Sequence, residues 1–302
     1  MSQAGITVGV ATCGRVEALR RCLAALAAQY EAPAAVVVVD QAPSPASREA
    51  VEAAGLAGAR YVEQPRLGLS ASRNLALRST ETTHLAVTDD DCAPDPEWLA
   101  ALGTALSRQP APGAVTGRIL PLGEAPPGSF AISLRKEERP VDYRGRIRPW
   151  GVGSGANFVA AVEALHEAGG WDERLGTGSP GMAAEDSDLL DRLLADGATV
   201  RYEPAAIVRH DWQTRERRLG TRWSYGYGIG AMCGLRLARG DRFALDMLSA
   251  YARLHVRPLL AALWARQRFK ASEHARALAS LAPGVLYGLR SARRPSSVLP
   301  DG

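Results

Sequence analysis

The chain reads as an α/β protein on a mostly parallel central sheet flanked by helices, continued by a helical C-terminal extension. Three observations predict this. Short apolar segments alternate with helical patterns through the first 120 residues, leaving room for a crossover helix between successive strands. One segment, Val36-Val37-Val38-Val39, is a continuous β-branched run, which suits a strand buried on both faces. The charge also divides. After Trp212 there are sixteen Arg/Lys against five Asp/Glu, and because the whole chain carries +4, residues 1–212 carry −7.

The elements follow in order. Residues 6–10 give a strand, and residues 16–28 a helix with Leu19, Leu23 and Leu26 on one face. The β-branched run, 35–39, is the second strand. A helix over 47–54, a strand over 60–63 and a helix over 70–79 follow, with Ser70 as its N-cap. Residues 85–88 form the next strand and 96–106 the next helix. Residues 123–149 carry several prolines and mixed charge, and read as a long connection with a short strand or two. A strand over 157–160, a helix over 162–168, a mobile glycine-rich loop over 176–181 and a helix over 185–195 come next. Two short strands, 199–202 and 206–208, precede a helical and basic region beyond Thr214.

Composition narrows the class. Cys13, Cys22, Cys92 and Cys233 show no CxxC pair and no His-Cys metal spacing, so a reduced, cytoplasmic chain is expected and a disulfide scaffold is not. The first residues lack a basic stretch followed by an apolar core, so no secretory signal is expected. The longest late uncharged apolar run, residues 277–289, has 13 residues and contains Pro283 and Gly284, too short for a membrane span.

The chemistry centres on Asp89-Asp90-Asp91, which end the apolar segment His84-Leu85-Ala86-Val87-Thr88. Three adjacent carboxylates repel one another, and a hard divalent cation such as Mg²⁺ or Mn²⁺ offsets that cost. A strand ending in such a cluster places it at the carboxyl edge of a sheet, where open α/β folds bind ligands. The structural alternative is a solvated acidic turn before a helix, with Asp95 as a cap.

Five features fall in one order. A strand ends in Asp40, and Arg66-Leu67-Gly68-Leu69-Ser70-Ala71-Ser72-Arg73-Asn74 follows. Then come Thr88-Asp89-Asp90-Asp91, and Gly153-Ser154-Gly155-Ala156-Asn157-Phe158 leading to Gly169-Gly170-Trp171-Asp172-Glu173. Glu185-Asp186 at a helix start and His210 after a strand complete the series. Over about residues 5–215 the chain resembles the family 2 glycosyltransferases, with their GT-A fold.

The resemblance implies a metal-dependent enzyme that moves one sugar from a nucleotide-diphosphate-sugar of UDP, dTDP or GDP type to an acceptor hydroxyl, lipid-linked or on a small-molecule glycoside. Asp89, Asp90 and Asp91 would supply metal and ribose contacts, with Asp91 and Asp89 on a Mg or Mn ion and His210 as a further ligand or a structural histidine. Thr12 and Arg15 would wrap the nucleotide, Asp40 would accept from the nucleobase or cap a loop, and Arg73 would meet the base or a phosphate. Asn157 belongs to the same donor-side motif, and Trp171 would be a sugar floor or ordinary core. Asp186 would be the general base and Glu185 its neighbour. The chain has Cys13-Gly14 where the family usually has an aromatic-Asn pair, and Gln41-Ala42-Pro43-Ser44 after Asp40 in place of Asn-Gly-Ser. A single base with no second carboxylate of nucleophile character predicts an inverting displacement.

These readings divide the chain into a catalytic domain, 1–212, with a nucleotide-binding half to about 120 and an acceptor-side half after it, and a basic helical extension, 213–302. In that extension Arg253, Arg257, Arg266 and Arg268 alternate with Leu254, Val256, Leu259, Leu260, Leu263 and Trp264. The mixture suits either peripheral contact with an anionic membrane surface on its inner face or a helical cap with solvated arginines. No nucleic-acid recognition motif appears. The Gln-x-x-Arg-Trp motif of processive family members is absent, since Gln213 and Arg222-Trp223 are too far apart, which favours transfer of one sugar. A nucleotidyltransferase would need a lysine-bearing glycine-rich loop that Cys13-Gly14-Arg15 does not supply, and a non-catalytic sugar-nucleotide binder would not need Glu185-Asp186.

Overall fold

The structure, a computed structural model, describes residues 3–293. The N-terminal half runs β1 (Gln3–Thr12), α1 (Val16–Ala27), β2 (Ala35–Asp40), α2 (Pro45–Ala53), β3 (Ala59–Glu63), α3 (Leu69–Arg78), β4 (Thr82–Asp89), β5 (Cys92–Pro94) and α4 (Trp98–Leu106). Then come β6 (Ala114–Pro121), β7 (Val141–Tyr143), β8 (Phe158–Ala161), α5 (Val162–Glu167), α6 (Glu185–Ala195) and β9 (Val200–His210). Four helices complete the described residues: α7 (Arg215–Ala238), α8 (Phe243–Trp264), α9 (Arg268–Ala279) and α10 (Leu281–Ser291). The helical extension is therefore observed, though Arg294, among its final arginines, lies outside the described residues.

The sheet order is β3-β2-β1-β4-β8-β6-β9-β5, with β7 beside β9. Strands β3, β2, β1 and β4 are mutually parallel, the arrangement expected of the strand-helix repeats. Beyond β4 the sheet is mixed: β8 runs antiparallel to both β4 and β6, and β6 is parallel to β9. The β-branched run behaves as a doubly covered strand. Val36 and Val38 join the layer of Leu19, Leu23 and Leu26, and Val37 and Val39 face Ala76 on the other side. Each fully buried leucine of α1 contributes roughly 1.5–3 kcal/mol.

Several details differ from the sequence reading. Gly68, at φ 143°, occupies the N-cap of α3, and Ser70 lies inside the helix and donates to the Leu175 carbonyl at 2.7 Å. The two short strands expected over 199–208 are one strand, β9, whose pairing with β6 shifts register after Gly117. The residues expected to form a mobile glycine-rich loop are laced by internal bonds, among them Gly181 N–H to Arg174 and Ser179 Oγ–H to Gly176.

The extension is not a separate appendage. Leu175 and Ala184, just ahead of α6, share one apolar cluster with Ile229 and Met232 of α7, Met247 and Tyr251 of α8 and Ala277 of α9.

Candidate active site

Strand register assembles the site. Thr12 pairs with Asp40 across β1 and β2, and Ala11 with Asp89 across β1 and β4, so three motif ends reach the same sheet edge. On the far side Cys92 of β5 pairs with His210 of β9, and the Asp211 amide donates to the Asp91 carbonyl at 2.9 Å. These edges open into a cavity of about 1190 Å³. Its walls bring together Thr12, Arg15, Arg73, Asp89, Asp91, Glu185, Asp186 and His210.

The triplet divides by direction. Asp89 and Asp91 face the cavity, whereas Asp90 is fully buried behind it. Asp90 accepts from Thr12 Oγ1 at 2.7 Å and from Arg15 Nε at 3.1 Å. Burial, against the opposing pull of Arg15 and Thr12, pushes its pKa up to about 6. Asp91 is also buried, but His210, Arg15 and Arg217 outweigh that and hold its carboxyl below the usual range. Arg15 Nη1 donates to Asp91 at 2.6 Å and Arg217 Nη2 at 3.2 Å, while His210 Nε2 lies 3.6 Å from the other oxygen.

Asp89, Asp91, Cys92 and His210 offer ligand atoms within 4.8 Å of one another. Burial drives the Cys92 thiol well above its ordinary pKa, and sulfur is a soft ligand, a poor match for a hard ion. Two carboxylates and an imidazole remain, a donor set that fits Mg²⁺ or Mn²⁺. His210 Nδ1 is buried without a hydrogen-bond partner, so its ring is not locked into a structural role on that side.

Arg73 is the hub of the opposite wall. It is buried, donates to Asp89 at 3.2 Å and to Glu185 at 2.9 Å, and covers Gly155, where a Cβ would lie 2.5 Å from its Nη2. Burial opposes its charge, but Glu185, Asp89 and Asp186 outweigh that and keep it firmly protonated. Ala184, at φ 71°, turns the chain left-handed into α6, a strained entry for a residue with a Cβ. That turn aims the first residues of α6 at the cavity. Asp186 accepts from the Gly155 amide at 2.8 Å and from its neighbour Ser187 at 2.7 Å, which fixes its carboxylate. Glu185, which also lines the cavity, is raised to about 7 by burial and by Asp186 against Arg73.

Three further expected site residues, like Asp90, are withdrawn from the cavity. Asp40 is fully buried and holds its own loop, accepting from Tyr61 Oη at 2.8 Å and the Ala42 amide at 2.9 Å; Gln41 beside it lines the cavity. Asn157 plugs the β6–β9 irregularity, bonding Trp98, the Arg118 carbonyl and the Ala206 carbonyl. Trp171 is core, edge-on to Phe158 at 6.2 Å, with its backbone clasped by Asn74. None of these three residues lines the cavity. Sequence reading missed Arg217 and Tyr225, which line the cavity from α7. No motif marks either in the sequence; Arg217 falls in the basic region beyond Thr214.

A GT-A domain is the class this architecture defines, and solved structures of that kind share it. The mannosyltransferase PcManGT of Pyrobaculum calidifontis, in complex with GDP-Man and Mn²⁺, matches at TM-score 0.59 and 18% identity, over 96% of this chain and 87% of that one. S. aureus TarS 1-349 in complex with UDP matches at TM-score 0.56 and 14% identity, over 96% and 91%. At such identities the likeness is one of fold. The chain belongs to glycosyl transferase family 2, whose profile matches residues 7–165. It is 31% identical over 192 residues to the pre-mycofactocin glycosyltransferase of Mycobacterium tuberculosis, covering 61% of this chain. The chain spans only 38% of the length of that curated relative.

Proposed function

We propose that this chain moves one sugar from a nucleotide-diphosphate-sugar to an acceptor hydroxyl, with inversion at the anomeric carbon and with Mg²⁺ or Mn²⁺ held by Asp89, Asp91 and His210. One observation carries the reading: a single cavity joins that donor set to the fixed carboxylate of Asp186, with Arg73 bridging Asp89 and Glu185 between them. The complexes of the fold neighbours with GDP-Man and Mn²⁺, with UDP and with UDP-GlcNAc support a donor of this chemical type.

When bound, the ion supplies Lewis-acid neutralisation of the departing diphosphate. The protein's own groups do the rest. Arg15 and Arg217, both half-exposed at the cavity, offer guanidinium forks to phosphate oxygens. Asp186 receives the proton of the attacking hydroxyl as the new bond forms. The Gly155 and Ser187 amides keep its carboxylate oriented, and Arg73 neutralises the charge crowded behind it. One base and one displacement invert the anomeric centre. In this reading residues 1–212 carry the metal-binding and proton-transfer groups, Arg217 adds a phosphate contact from α7, and the rest of the described extension closes the acceptor side. The reading places the chain in the cytoplasm, in keeping with its four free cysteines. Among the described residues no helix is long and apolar enough to cross a membrane.

A thermal-shift panel of UDP-, dTDP- and GDP-sugars with and without Mn²⁺ tests the donor and metal together. One donor class is expected to raise the melting temperature only with the ion present. Asp186→Asn is expected to keep that shift and lose about 10²- to 10⁴-fold in donor turnover, slow hydrolysis to water included. Undiminished turnover in the variant would remove Asp186 as the base, and metal-independent shifts would remove the ion.

A further inference from the structure

Among the described residues the outer face of α8 has no partner. Its inner face is occupied: Met247, Tyr251, His255 and Ala262 are buried. The opposite face carries Arg253, Val256, Arg257, Leu260, Leu263, Trp264 and Gln267 at i, i+3, i+4, i+7, i+10, i+11 and i+14, one continuous helical stripe running into the turn before α9. Val256 is 41% exposed, Leu260 61%, Leu263 57% and Trp264 90%. Contiguous exposure of large apolar side chains marks an interaction surface.

Charge identifies the partner. Residues 247–272 contain four arginines and one lysine and no Asp or Glu. Arg253, Arg257, Arg266, Arg268 and Lys270 are all exposed. Among the described residues none of the five meets a carboxylate, although most arginines elsewhere in the fold do. A second copy packed on this face about a two-fold axis would set these cations against themselves. An anionic bilayer matches both components: headgroups take the cations, and the leucines and Trp264 enter the interfacial zone, where indole is favoured.

We infer that the outer stripe of α8 and the turn into α9 dock this protein on an anionic lipid surface. This stands on exposure and charge and is independent of the transfer reading. Leu254, half-exposed on the same helix, also lines the cavity, so docking sets the cavity rim beside the bilayer.

The test is flotation of the full chain with phosphatidylcholine vesicles, with and without phosphatidylglycerol. Flotation is expected with the anionic vesicles only, weakening as salt rises. Arg253→Ser/Arg257→Ser is expected to weaken partitioning about 30-fold at low salt, at roughly one kcal/mol per arginine. Leu260→Glu/Trp264→Glu is expected to abolish it. Both variants change only exposed side chains, so their melting curves should match the parent's. Flotation unaffected by Leu260→Glu/Trp264→Glu, or absent in the parent, overturns the inference. A lipid-free, concentration-dependent dimer that this variant abolishes overturns it too, because the face would then be a self-association surface.

Discussion

Arg73 and Glu185 show how a residue's role here depends on what surrounds it. Arg73 would be an exposed helix arginine if α3 stood alone; in the fold it is buried between Asp89 and Glu185 under Gly155. Glu185 holds its proton to about pH 7, above the ordinary 4.5, because burial and Asp186 outweigh Arg73. The native state therefore keeps a proton that the unfolded chain has released. Stability contributed by this group falls as pH rises from 4.5 to 7 and levels off above. Glu185→Gln cannot ionise, so its unfolding free energy should decline less than the parent's between pH 5 and 7. Urea unfolding at a series of pH values checks this, and parallel curves for parent and variant would refute it. Sequence spacing placed Asp40, Asp90, Asn157 and Trp171 at the right strand and loop ends. It could not give their rotamers, and in each case a partner distant in the chain, Tyr61, Thr12, Trp98 or Phe158, packs or bonds with the side chain outside the cavity.

At the scale of elements, the closest packing lies between α7 and α10. A Cβ on Gly230 would strike the Leu281 carbonyl, one on Gly284 the Tyr227 carbonyl, and one on Gly288 the Ala231 carbonyl. The two backbones approach each other because both helices lack side chains there. The pattern Gly226, Gly230, Gly234 with Gly284 and Gly288 stands in the sequence at four-residue spacing, one face of a helix in each case. It was legible as small-residue faces, but not as a pair. Gly288→Leu should force the helices apart and cost about 1–3 kcal/mol, lowering the melting temperature by several degrees. Gly220→Ala, on α7 with open space around it, should be neutral or slightly stabilising. Both substitutions raise helix propensity, so a Gly288→Leu variant as stable as Gly220→Ala would show that close backbone packing does not govern this position.

For the whole molecule, the junction near residue 212 changes the kind of secondary structure, and one apolar cluster spans it. Tyr251, Leu254, His255 and His274 complete the cavity from α8 and α9, and Met247, Tyr251 and Ala277 complete the cluster that also holds Leu175 and Ala184 beside Glu185. Ending the chain after Arg239 removes these and the α10 partner of α7. At roughly 1.5–3 kcal/mol for each large buried side chain, the loss approaches the roughly 5–15 kcal/mol that a native protein has in total. The shortened chain should melt without cooperativity or aggregate. A soluble product with a sharp transition within a few degrees of the parent would show that the front part folds alone.

The sequence by itself determined the α/β alternation, the doubly buried strand Val36–Val39, the sheet-edge placement of Asp89 and Asp91, and the helix start at Glu185. Each is local: periodicity, β-branching and strand ends act over a few residues. Only the tertiary structure decided that Asp90 turns inward, that β8 enters antiparallel, that Arg217 of the basic extension reaches Asp91, and that α8 buries one face and leaves the other open. Those outcomes depend on contacts between residues far apart in the chain, where the competition between burial and charge is settled by neighbours that no window of sequence contains.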